Sequence, residues 1–216
     1  MEEKYPVVTL ILITINLAVF LFTCDFSVLW FPVKNEIVDI FGLSPQDLIL
    51  KPYTLITHMF VHADVIHFIG NMLMLSVVGL VTEIRIGSLK FFLFYFFCGL
   101  ITLPFAFLME FLTGLAPILI GASGAIFGVM FIAGAMAGWE EVPVILIPIL
   151  NVIALPFIFF SFKNIKVPLF VAILFYLILE LIMLFMNLPI SIGEIAHFGG
   201  FLGGIIGTLL IVPKSE

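Results

Sequence analysis

Apolar runs of about 20 residues, nearly free of charge and closed by short polar turns, recur from one end of this chain to the other, and that recurrence excludes most architectures at once. A run of that length lets an α-helix cross the hydrocarbon of a bilayer. Inside lipid the backbone must satisfy its own hydrogen bonds, which leaves only helices and closed barrels. Barrel strands alternate apolar and polar residues at every second position. Here the apolar runs are continuous, so the expected class is an all-α membrane protein. Composition agrees: 63% of the 216 residues are hydrophobic and 10% charged, where a soluble domain carries about 25% charge. The 26 phenylalanines suit a lipid-facing surface.

This length leaves no room for a soluble domain, so residues 1–216 read as a single membrane domain. The net charge of −6 carries little weight because so few charges exist. Cys24 and Cys98 lie at or in apolar runs and read as packing residues, with no disulfide or metal role. Met1-Glu2-Glu3-Lys4 lacks a basic leader, and no small-residue cleavage site follows the first run. Residues 6–24 therefore read as a retained span.

The remaining spans are expected at 57–80, 89–109, 121–138, 168–187 and 195–212. Residues 25–54 form the longest connection. Its charges are interleaved with Leu29-Trp30-Phe31 and Ile40-Phe41, which predicts a loop lying in the headgroup zone. Residues 81–87, with Glu83 and Arg85, read as a tight polar turn. The segment 142–162 is long enough to span but carries Pro143, Pro148 and Pro156, and prolines break helices.

Parity decides whether 142–162 crosses. If it does not, six spans place both termini on one side, with Lys4, Arg85, Lys90, Lys163, Lys166 and Lys214. The other side then holds Lys34 and Lys51. That is a positive-inside pattern with cytoplasmic termini. If it crosses, the asymmetry reverses. The expectation is therefore a bundle of six transmembrane helices, with 142–162 interfacial or re-entrant and a long interfacial loop between helices 1 and 2. Six spans also put Ser123 and His197 at the outer ends of two helices that run the same way.

Those two residues carry the chemistry. Ser123, between Gly121 and Gly124, opens an apolar helix, so free backbone N–H groups and the positive helix end surround its hydroxyl. Both would stabilise an oxyanion. The bland alternative is a small-residue packing motif. His197, Gly200 and Gly204 share one helix face, a small-residue stripe with a histidine above it. Ser123 and Phe127 are one turn apart, so Phe127 is positioned to support the imidazole if the two helices pack. The bland alternative there is a packing seam with an incidental histidine.

Three of the four histidines lie within His58–His67. His67 and Asn71 share a helix face, and both can donate to a developing oxyanion. His58 and His62 form an i, i+4 pair that invites a metal reading, but no glutamate follows His58 as a metalloprotease helix requires. A di-iron oxidase would need more histidines than the chain has. His62 reads better as a polar tie between the long loop and the second helix.

Taken together, these motifs resemble the rhomboid family of intramembrane serine proteases. The resemblance rests on His58, His62, His67 and Asn71, on Gly121-x-Ser123-Gly124, and on Ala196-His197-x-x-Gly200-x-x-x-Gly204. Glu83-x-Arg85 and Pro52-Tyr53-Thr54 also look like the family. It implies a catalytic dyad of Ser123 as nucleophile and His197 as general base, with Asn71, His67 and the Ser123 backbone N–H as oxyanion hole. It implies supporting places for Phe127, Gly121, Gly124, His62, Gly200 and Gly204. The family often has tyrosine where this chain has Phe127, so the stacking face is kept and the hydroxyl lost. It often carries Trp-Arg where this chain reads Tyr53-Thr54.

The implied reaction is acyl-enzyme hydrolysis of peptide bonds in or near single-span transmembrane segments, without cofactor or metal. The implied partners are transmembrane protein substrates and the lipid bilayer, with no nucleic acid. The expected location is the plasma membrane of a prokaryotic cell, with the active site opening toward the outer face. Two alternatives remain from other classes. One is a catalytically silent relative that binds membrane-protein clients. The other is a small transporter, for which Glu180 would be the main intramembrane charge.

Overall fold

The computed structural model describes residues 5–114, 117–137, 139, 141–143, 166–171, 173–175, 178 and 192–211, and it is mostly helical. Helix α1 (Val7–Thr23) is strongly apolar, with Thr9, Asn16 and Thr23 on its buried face. The long connection that follows is structured. Cys24 bridges to Val33, then comes α2 (Asn35–Phe41), and Leu43 pairs with Leu119 through N–H···O bonds of 2.9 and 2.8 Å. A short helix α3 (Thr54–Thr57) leads into a 3₁₀ turn, His58–Phe60.

Helix α4 (Val65–Ile86) departs from expectation at both ends. The sequence predicts a span from Thr57, but the helix starts at Val65, because Asp64 caps it by accepting the His67 N–H at 2.8 Å. The Val65 N–H is taken by the carbonyl of Trp30, which sits in the left-handed region at φ 71°. At the other end the predicted turn over 81–87 is helical through Ile86, and only Gly87, at φ 84°, reverses the chain.

Glu83 explains that extension. Its carboxylate is buried and accepts from Val8 N, Thr9 N, Thr9 Oγ1 and Ser88 Oγ, at 2.8, 2.7, 2.7 and 2.6 Å. A helix leaves its first N–H groups without internal acceptors, and Pro6, at the cap position of α1, offers no side-chain bond. A carboxylate from another helix fills that role, so a charge that looks like turn chemistry is satisfied inside the bundle.

Helices α5 (Ser88–Leu100) and α6 (Leu103–Thr113) divide the predicted third span. Pro104 has no N–H and its ring opposes the carbonyl of Leu100, so the helix closes there and restarts. The stretches 65–86 and 88–112 are long and apolar enough to cross a membrane; among the described residues α1 and two further helices are apolar over shorter stretches. Those two are α7 (Ser123–Ala137) and α8 (Ile192–Ile211), which starts three residues before the predicted Ile195.

Helix α7 is the centre of the fold. Ala125, Ile126, Val129, Met130, Ile132 and Ala133 are all buried, and the helix packs on α8, α4 and α5. Strands β1 (Glu141–Pro143) and β2 (Lys166–Pro168) pair antiparallel, with Val142 opposite Val167. Apart from residues 142 and 143, the proline-rich segment 142–162 lies outside the described residues. So do Glu180, most of the predicted span 168–187, and Lys4, Lys163 and Lys214.

Candidate active site

Gly121 and Ala122 form a bend, and Ser123 opens α7 directly after it. Gly121 sits at φ 109° and donates its N–H to the His58 carbonyl at 2.8 Å. That bond ties the serine loop to the 3₁₀ turn. Ile126 N donates to the Ala122 carbonyl at 3.0 Å, closing the first helical turn. The N–H groups of Ser123, Gly124 and Ala125 therefore precede the ladder, where a helix presents donors and partial positive charge.

His67 faces this bend. A Cβ placed on Gly121 would stand 2.7 Å from both Cε1 and Nε2 of His67, and 3.8 Å from Nδ2 of Asn71. Glycine is thus required twice at 121, by the backbone angle and by the imidazole edge. The other ring nitrogen fixes the tautomer. The Ala63 N–H donates to His67 Nδ1 at 3.2 Å. Nδ1 is then the acceptor, and the neutral ring carries its proton on Nε2, the atom beside Gly121. Asn71 is buried, and its Nδ2 has no hydrogen-bond partner among the described residues.

His197 approaches from α8, about a turn and a half inside that helix. Phe127, one turn after Ser123, stacks on it with ring centroids 4.1 Å apart and planes 6° from parallel. It also lies within electrostatic reach of His67. The backbones of α7 and α8 nearly touch. A Cβ on Gly124 would stand 3.6 Å from the Ala196 carbonyl, and one on Gly128 would stand 2.6 Å from the Gly200 carbonyl. A Cβ on Gly200 or Gly204 would run into the carbonyl of Gly124 or Gly128 respectively. Ser123 and His197 therefore sit on adjoining turns of two helices in backbone contact.

A cavity of about 180 Å³ opens between these elements. Its walls include Ser123, Gly121, Gly124, His67, His58 and Ala196. The structure so brings Ser123, His67, Gly121 and Gly124 around one space, with Asn71 beside Gly121 and the Phe127–His197 stack on the α7–α8 seam. His62 stands behind this group. It meets His67 edge-on, with ring centroids 5.1 Å apart, and Phe68 at 5.5 Å. By strict geometry its ring nitrogens make no hydrogen bond among the described residues, though the Phe60 carbonyl lies within reach of the ring, and its packing on His67 and Phe68 joins the loop to the second helix. His58 points elsewhere: its Nδ1 donates to the Thr54 carbonyl at 2.7 Å, and the 3₁₀ turn ends before His62, so the pair does not share a helical face.

Three contributors escape the sequence reading. Met59 and Thr102 line the cavity, and Thr102 fills the space beside Gly124. A second glycine pair, Gly199 and Gly203, packs against Thr102 and Cys98, with Cβ positions 2.8 and 3.0 Å from their Cα atoms. The doubled Gly-Gly spacing is the available signal: one member of each pair serves α7, while Gly203 serves α5 and Gly199 the α5–α6 junction.

A family model, the Rhomboid domain, matches residues 50–214, which include every candidate site residue described above. Among curated proteins, none matches the chain.

Proposed function

The chain belongs to the rhomboid family and is an integral membrane protein, and from that premise we propose that it is an intramembrane serine endopeptidase acting on single-span membrane proteins. What supports the reading is the convergence on Gly121. The Nε2 edge of His67, the Asn71 Nδ2 that has no partner among the described residues and the first N–H groups of α7 all gather where Ser123 emerges. A buried donor without an acceptor is costly, and donors aimed at one point suit an oxygen that becomes negative there.

In this reading His197 takes the Ser123 proton as the hydroxyl attacks a peptide carbonyl. The oxyanion is held by Asn71, His67 and the Ser123 N–H. The nitrogen leaves with the proton from His197, and water, activated by the same imidazole, releases the acyl group. The flat contact with Phe127 orients His197. Six spans, cytoplasmic termini and an active site open to the outer face complete the proposal, on the positive-inside distribution of lysine and arginine.

The test is cleavage of a single-span test substrate by the purified protein in liposomes, wild type beside Ser123→Ala. Cleavage by the wild type alone supports the proposal. Cleavage by both removes Ser123 as nucleophile. No cleavage by either, together with no labelling of Ser123 by a fluorophosphonate, replaces the protease by a client-binding relative.

A further inference from the structure

A second cavity, of about 370 Å³, lies between α1 and the interfacial loop. Ile15, Val19 and Phe22 of α1 form one side, and Phe41, Phe60 and Val61 face them. No polar atom lines it. Two threonines border the groove, yet both hydroxyls are turned inward: Thr23 Oγ1 donates to the Val19 carbonyl at 2.8 Å and Thr57 Oγ1 to the Phe41 carbonyl at 2.9 Å. A peptide strand would find no hydrogen-bond partner here. Hydrocarbon chain is the chemistry that remains. The open side is apolar and lipid-facing, with Phe22 84% exposed.

A basic residue is tied by its backbone to Thr23, one of the groove's lining residues. Lys34 donates its backbone N–H to the Thr23 carbonyl at 3.2 Å, so the residue sits at the loop end of α1. Asp25 is already engaged by Ser27 N and Oγ, at 2.9 and 2.6 Å. Lys51, the other loop cation, is held by Asp47 and the Asp39 carbonyl. Among the described residues Lys34 enters no ion pair.

We propose that this groove is a binding site for one acyl chain of an anionic phospholipid, with the phosphate at Lys34. Phe60, on its wall, belongs to the same 3₁₀ turn as His58, so the occupant would brace the segment that anchors Gly121. The proposal needs only that the chain lies in a membrane, and is independent of proteolysis.

The test is photo-crosslinking of the full chain in phosphatidylcholine liposomes doped with phosphatidylglycerol carrying a diazirine on one acyl chain, with adducts mapped by mass spectrometry. Adducts are expected to concentrate on residues 15–23 and 60–61, above the lipid-facing Leu89 and Leu93. Ala18→Phe, at an exposed groove position, should remove that excess while the protein stays monodisperse. Phosphatidylglycerol should outcompete the same chain on phosphatidylcholine by about fivefold, the effect of one lysine beside an anionic surface, and Lys34→Gln should erase the difference. Adducts spread evenly and unchanged in Ala18→Phe would mean bulk lipid only and overturn the site. Equal labelling from both headgroups in the wild type would overturn its anionic half.

Discussion

Phe127 lies flat on His197, with centroids 4.1 Å apart and planes 6° from parallel, so the imidazole plane is set by a hydrocarbon face. An aromatic pair of this kind is worth about 0.5–1.5 kcal/mol beyond its buried area. If that contact orients the base, Phe127→Leu should lower kcat by about two- to tenfold with KM unchanged. Phe127→Tyr should keep the rate, because the stacking face is retained. Steady-state kinetics on the single-span substrate decide it. A Leu variant as fast as the wild type would remove the stack from the mechanism.

The donors at Gly121 make a sharper demand. Asn71→Ala should reduce the rate by roughly ten- to a thousandfold, since one oxyanion donor contributes about 2–4 kcal/mol. Asn71→Asp should fall at least as far, because it offers an acceptor where a donor is needed. Fluorophosphonate labelling of Ser123 reports whether the nucleophile survives. An unchanged cleavage rate in either variant would take Asn71 out of the oxyanion hole.

The seam between α7 and α8 predicts a contrast among glycines. A methyl at Gly200 or Gly204 meets backbone carbonyl, which has no rotamer to escape into. In lipid, helix association depends on such close packing. Gly200→Ala and Gly204→Ala should each destabilise by about 1–3 kcal/mol, the usual range for overpacking. They should also cost activity, because separating the helices moves Ser123 from His197. Gly70→Ala, on α4, meets nothing within 4 Å and should be neutral or slightly stabilising. Unfolding midpoints in detergent test both arms, and equal effects at 70 and 200 would contradict the packing argument.

How far these features are legible in the sequence depends on what encodes them. Apolar runs are local, so the helices are found. Their ends are set by tertiary partners, so α4 is misjudged twice. The Asp64 cap is visible as a helix-start signal, but the apolar Met59-Phe60-Val61 before it hides the break. Glu83 reads as turn chemistry because nothing in its neighbours announces donors 75 residues away at Val8. Ser123, His67, Asn71 and His197 stand out because polar groups among apolar runs are conspicuous. The His67 tautomer is invisible, since it depends on where the Ala63 N–H points.

Glu83 gives the last prediction, and one separable from catalysis. Its carboxylate serves four donors, two of them otherwise orphaned at the start of α1. Glu83→Gln replaces one acceptor oxygen by an NH₂ group that must face N–H or O–H donors. At least one buried donor is then unsatisfied, at a cost of about 1–3 kcal/mol. Glu83→Leu removes both acceptors and should cost more. The docking of α1 should loosen in both, seen as a lower unfolding midpoint and faster amide exchange at Val8 and Thr9. The groups around Gly121 do not touch Glu83, so cleavage per folded molecule should fall much less than in Asn71→Ala. A Gln variant with wild-type stability would mean that water reaches the start of α1 and that the carboxylate is not its cap.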